Sequence, residues 1–117
     1  MTRSSPKHLI FVFRSGLDDG HTNTGLDAAL LAGAFEQEVS LLLIGEAVNL
    51  LTSSRTGKNP LLARLPQLKD FGIKHIYLDR EALQHFPVNM LLHHGFLVPA
   101  DRQKIKQLIH TNQIVSF

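Results

Sequence analysis

The chain predicts an α/β domain organised on one mainly parallel sheet, and three observations lead there. The stretch from Val39 to Leu51, VSLLLIGEAVNLL, begins as an apolar run interrupted only by Ser40. A strand with one wet face alternates apolar and polar residues, so continuous apolarity over six residues marks a strand covered on both faces. Leu9–Ile–Phe–Val–Phe13 repeats that signature, rich in aromatic and β-branched side chains. Between and after these runs come segments with helical spacing, and strands alternating with helices predict parallel pairing through right-handed crossovers.

Taken in order, residues 1–6 form a loose tail ending at Pro6, and the domain occupies 7–117. After the first strand, Arg14 to Thr24 reads as a loop, with turn-formers at Gly16, Asp19, Gly20 and Asn23. Thr22 or Thr24 is then placed to cap a helix from about Gly25 to Phe35. Leu26, Ala29, Leu30, Gly33 and Ala34 fall on one face of that helix, yet Ala28, Leu31, Ala32 and Phe35 leave Asp27 as its only charge. A helix apolar nearly all round is expected to be buried on more than its sheet side, and in so small a domain the second cover can be another chain.

The organising strand breaks at Gly45 and passes into a helical turn. Thr52 to Asn59 is polar loop, and Pro60 suits the first turn of a helix reaching about Phe71. Pro66 inside it marks either a later start or a kink. Ile73 to Leu78 is a third strand, with Asp79 capping a short helix to His85. Met90 to His93 is expected as a fourth strand. Pro99–Ala–Asp–Arg102 opens the last helix, with Ile105, Leu108 and Ile109 inward and Lys104, Lys106 and Gln107 outward, and Gln113 to Phe117 closes the sheet.

Composition sets limits. At 117 residues, 44% hydrophobic and 19% charged, the chain fits one domain with a substantial core. Twelve cations against ten carboxylates give only +2, too little to argue for a nucleic acid or a membrane surface. No apolar stretch approaches the roughly 20 residues of a membrane span, and the short polar start lacks a secretory signal, so an intracellular, cytoplasmic protein is expected. There is no cysteine, which removes thiolate nucleophiles, persulfides, disulfides and zinc–thiolate sites from what these residues do unaided.

The candidate chemistry is thin. The loop carrying Gly16, Gly20 and Gly25 with Asp18, Asp19, His21 and Thr24 lies where an open parallel sheet presents ligands. Its G-x₃-G-x₄-G spacing departs from the dinucleotide fingerprint, however, and a plain turn accounts for it. A small-ligand or nucleotide-binding protein using Gly16–Gly25 is therefore the alternative reading. Thr56–Gly57–Lys58–Asn59 fails as a phosphate loop because Thr52 stands where a glycine belongs and Asn59 where a hydroxyl belongs. His93 and His94 point to opposite faces of a strand and, with His75 and His85 elsewhere, show no ligand spacing. Asp18 and Asp19 with Asp27 are too few for a hard cation, and no serine lies in a nucleophile setting. Arg64, Lys69, Lys74 and Arg80 could face RNA, but Asp70 and Asp79 offset them and aromatic platforms are sparse.

The order of pieces then becomes informative. FVF, the glycine-containing loop, Gly25–Leu26–Asp27–Ala28 within GLDAALLAGAF, the run Leu41 to Leu51, an Asn–Pro loop and the terminal IVSF together resemble the DsrE/F-like family over nearly the whole chain. That resemblance implies a single flavodoxin-like domain of about five mainly parallel strands, without a cofactor. It also implies a place in the Tus sulfur-relay complex, a cytoplasmic heterohexamer with two copies each of B-, C- and D-type subunits. Such a complex passes persulfide sulfur between TusA-like and TusE-like carriers towards 2-thiouridine at the tRNA wobble position, with tRNA met only indirectly. A DsrF-type subunit of a sulfur-oxidation complex is the neighbouring possibility. The transferring cysteine belongs to the D-type subunit, and the matching position here is Leu78, which cannot form a persulfide. A non-catalytic structural role follows as an expectation, across an interface of roughly 2,000 Å² or more. Leu50, Leu51, Phe86, Met90 and Phe96, which lie in or beside less regular segments, are read either as contacts to TusB-like and TusD-like partners or as ordinary core.

Overall fold

The computed structural model describes residues 8–14, 20–35, 37–51, 60–86, 88 and 95–116. The two apolar runs form neighbouring central strands, β1 (His8–Phe13) and β2 (Glu38–Leu43), paired in parallel from His8↔Glu38 to Phe13↔Leu43. Beside β2 lies β3 (Ile73–Asp79), then β4 (Leu97–Ala100); on the other side of β1 lies β5 (Gln113–Ser116). All four pairings are parallel, in the order β4-β3-β2-β1-β5.

Three connections step the same way, from β1 through β2 and β3 to β4. Among the described residues their helical pieces are α1 (Gly20–Ala34), the 3₁₀ segment Gly45–Leu51 with α2 (Pro60–Asp70), and the 3₁₀ turn Ala82–Gln84. The last connection, α3 (Arg102–Thr111), steps back across the sheet to β5. Right-handed crossovers that reverse direction must run over the opposite face, and α3 does so. The result is a flavodoxin-like α/β arrangement, although the switch of direction falls between β1 and β5, whereas in flavodoxin it falls between β1 and β3.

Two cores follow from this. Phe11, Leu41, Leu43, Ile76 and Leu78 point from the sheet towards α1, α2 and the 3₁₀ segments. Ile10, Val12, Leu42 and Tyr77 point the other way, onto Leu108 and the half-buried Ile105 and Ile109 of α3. Gly45 turns the chain out of β2 with φ +59°, a left-handed conformation that glycine adopts without a Cβ penalty. Asp101 caps α3, its Oδ1 accepting from the Lys104 N–H at 2.8 Å.

Several boundaries differ from expectation. α1 begins at Gly20, so His21 to Thr24 lie within the helix and neither Thr22 nor Thr24 caps it. Their turn-forming neighbours were outweighed by the packing of Leu26, Ala29 and Leu30 against the sheet. α2 runs unbroken through Pro66, which sits on its exposed side, where water can satisfy the carbonyl that proline cannot bond. Pro99 belongs to β4 and not to a helix start; β4 is the sheet edge, where proline needs no ladder partner. The strand expected over Met90 to His93 lies outside the described residues.

Candidate functional site

The upper rim of the sheet, where the strands end, is where such folds present chemistry. Here Asp79 holds the rim together. Its Oδ2 accepts the backbone N–H of Gly45 at 3.0 Å and its Oδ1 that of Glu81 at 3.1 Å. One carboxylate thus fastens the exit of β2 to the turn after β3, taking up two strand-end N–H groups that an incoming anion would otherwise use. Asp79 is not the helix cap expected of it: it ends β3, and the 3₁₀ turn Ala82–Gln84 has Glu81 at its N-cap position without a side-chain cap bond. The Asp79–Glu81 bond closes the turn between them, while the 34-residue reach to Gly45 is new. Across the rim, Arg14 Nη1 donates to Ser116 Oγ at 3.4 Å where the direction switches between β1 and β5. Glu81 and Arg102 form an exposed pair at 3.6 Å.

Leu78, the position the resemblance assigns to the sulfur carrier in a D-type subunit, is fully buried in the larger core one residue below Asp79. It packs; it presents nothing at the rim. The Gly16–Gly25 ligand loop is divided: Gly20 and Gly25 belong to α1, while Gly16, Asp18 and Asp19 lie outside the described residues. Thr56 to Asn59, Met90, His93, His94 and serines 4, 5, 15, 53 and 54 lie outside them too. Among the described residues no group of three metal-ligating side chains occurs, and no helix is long and apolar enough to cross a membrane.

The basic residues of the middle region do not converge. Arg64 pairs with Asp27 at 2.7 Å between α2 and α1, and Lys69 lies 5.1 Å from the Phe96 ring centroid. Lys74 pairs with Glu38 at the bottom of the sheet, while Arg80 follows β3 at the top. A single RNA-facing patch is not assembled from them.

The surface of α1 is more informative. Leu31 and Phe35, one turn apart, are 61% and 71% exposed, and Phe71 after α2 is 43% exposed. The half-buried Ala28 and Ala32 continue the strip, and Asp27, the helix's only charge, is engaged by Arg64. By contrast, Leu50, Leu51 and Phe96 are buried within the chain's own core and Phe86 packs against it. These expected contacts therefore offer a partner little surface, because the 3₁₀ segment folds under α2 and away from solvent. Leu31 and Phe35 were visible in the sequence as part of an over-apolar helix.

One polar feature escaped the sequence reading. Ser40 is fully buried in β2, its hydroxyl hydrogen-bonded to His8 Nε2 at 2.9 Å, opposite an irregularity in the β2–β3 register. Burial holds the His8 imidazolium below its ordinary pKa, with Glu38 opposing that shift and Lys74 and His75 adding to it. Burial also pushes the Tyr77 phenol upward. The only sequence signal was Ser40 itself, the sole polar residue in an apolar run.

An open, all-parallel α/β sheet, its rim closed by an internal carboxylate and holding no thiol, is the class of protein these features define. The profile of the DsrE/DsrF-like family matches residues 7–117, and the chain belongs to that family. Membership implies a role related to sulfur relay. No curated protein matches the sequence. Among solved structures, the fold is similar to that of the ychN protein from E.coli, with a TM-score of 0.73 at 15% identity, covering 97% of this chain and 100% of that one.

Proposed function

We propose that the chain is a non-catalytic, TusC-like structural subunit of a cytoplasmic sulfur-relay complex. In this reading TusB-like and TusD-like subunits complete a heterohexamer, and the D-type subunit carries the persulfide between TusA-like and TusE-like carriers. The sulfur is destined for 2-thiouridine at the tRNA wobble position. This chain positions the cysteine-bearing subunit and contacts tRNA only through the others.

The exposed apolar strip of α1 carries the proposal. Leu31 and Phe35 stand largely in water in the isolated chain, and large contiguous apolar surface marks an interaction site. The missing thiol supports it, since the family's relay chemistry runs through a cysteine that only a partner can supply. The test is co-production with a cysteine-bearing, TusD-like subunit and a TusB-like subunit from the same organism, followed by native mass spectrometry. A heteromer containing all three chains is expected, and Leu31→Glu with Phe35→Glu should release this chain while its own unfolding free energy stays within about 0.5 kcal/mol of wild type. A monodisperse solitary chain under those conditions would refute the reading.

A further inference from the structure

The chain's charge is not evenly spread. Without Arg102, Lys104 and Lys106, nine cations face ten carboxylates; the whole positive excess therefore sits on α3. No Asp or Glu occurs from Arg102 to Phe117. Arg102, Lys106 and His110 are all exposed and follow one another at four-residue spacing, which places them in a row about 6 Å apart. Beside that row run Gln103, Gln107 and Thr111, also exposed, the Thr111 hydroxyl donating to the Gln107 carbonyl at 2.7 Å. An open groove of about 400 Å³ lined by Asp101, Gln103, Lys104 and Gln107 lies alongside, and the Lys104 ammonium is held 5.8 Å from the Tyr77 ring centroid.

We propose that the outer face of α3 is a docking surface for an acidic protein segment, one presenting carboxylates at helical spacing opposite Arg102, Lys106 and His110. Lys106 has no carboxylate partner among the described residues. The Arg102–Glu81 pair is long and solvent-screened, with both side chains more than 70% exposed, so an incoming carboxylate can take Glu81's place. The guanidinium then offers a planar fork suited to that group. A protein fits better than a single-stranded nucleic acid. Base stacking needs exposed rings, and the described exposed large apolar side chains, Leu31, Phe35 and Phe71, all lie on the connections of the opposite face. Three lysine and arginine charges would neutralise few phosphates, whereas glutamine amides suit the rim of a protein interface. This surface is independent of the α1 strip, so its failure leaves the subunit reading untouched.

The probe is a synthetic helical peptide carrying glutamates at four-residue intervals, titrated into the isotopically labelled chain and followed by amide chemical shifts. Shifts confined to α3 and the Asp101 groove are expected, with affinity falling about tenfold between roughly 0.05 and 0.3 M salt. Arg102→Glu with Lys106→Glu should abolish binding of the glutamate peptide and create binding to its lysine counterpart; both positions are exposed, and an unchanged unfolding midpoint confirms the fold. Three results would overturn the proposal: no shifts at millimolar peptide, binding indifferent to the charge reversal, or a 20-nucleotide single-stranded RNA moving the same resonances at lower concentration.

Discussion

The two faces of the sheet use the same strands to different ends. Towards α1 and α2, β1, β2 and β3 contribute the larger core, including Phe11, Leu41, Leu43 and Leu78, sealed by three connections. Towards α3, Ile10, Val12, Leu42 and Tyr77 meet one ten-residue helix, and the only fully buried polar side chain among the described residues, Ser40, faces that way with His8. The outer surfaces diverge as well: apolar on α1, basic on α3. A continuous apolar strand therefore dictates that both faces be covered, but says nothing about what each cover then offers to the outside.

Leu42 and Leu43 give the largest test of that contrast, being adjacent, fully buried and aimed at opposite faces. Truncating a buried leucine to alanine costs about 2–5 kcal/mol, more where the surroundings cannot collapse. Leu43→Ala, enclosed by several elements, should fall near the top of that range in urea unfolding. Leu42→Ala, under a single helix able to shift inward, should fall near the bottom. Equal losses would mean that the two cores are equally rigid.

Next in size is Gly33→Ala. A Cβ at Gly33 would stand 2.6 Å from the Phe71 carbonyl oxygen, a backbone atom that yields only if α1 and the end of α2 separate. Overpacking of this kind costs about 1–3 kcal/mol, while alanine's better helix propensity returns up to about 1 kcal/mol. A net loss of roughly 1–2 kcal/mol is expected. If stability rises instead, the α1–α2 contact yields readily to an added methyl group, and the apolar strip beside it is not rigidly held.

Asp79→Ala tests the rim where the two faces meet. It leaves the part-buried Gly45 N–H without its acceptor, at a cost of about 1–2 kcal/mol, while the exposed Glu81 N–H is taken up by water. Asp79→Asn keeps an acceptor oxygen for one of them and should lose less. Amide hydrogen exchange should rise at Gly45 and Glu81 and stay unchanged in α3; faster exchange throughout would show that the carboxylate supports the whole fold.

These residues also show what could be read in advance. The central strands were legible because an unbroken apolar run has few alternatives, and α3 because its Ile105, Leu108 and Ile109 repeat at helical spacing. The start of α1 was hidden by Gly20, Asn23 and Gly25, which favour turns locally and are overruled by packing. β4 was obscured by Pro99, whose tolerance depends on being at an edge, a property of strand order. For the same reason Leu50 and Leu51 looked available to a partner: nothing local says that the 3₁₀ segment tucks beneath α2. The Asp79–Gly45 and His8–Ser40 bonds join residues more than 30 positions apart, beyond any local pattern.

The smallest effect is the pH response of the α3 face. Burial lowers the pKa of His8 in the folded chain from its usual 6.5, Glu38 only partly restoring it. The unfolded chain therefore takes up a proton first as the solution is acidified. His8's contribution to stability is complete above about pH 6.5, is lost as the pH falls towards the depressed folded value, and levels off below it. His8→Gln should flatten that part of the unfolding midpoint's pH profile. Because His8 and Ser40 join β1 to β2 on the α3 side, amide exchange at mildly acid pH should quicken first at His8–Ile10 and Glu38–Ser40, with α1 and α2 lagging. If α1 loosened first, the acid-sensitive group would belong to the other face, and the polar pair at Ser40 would be a satisfied core contact without influence on which side of the sheet opens.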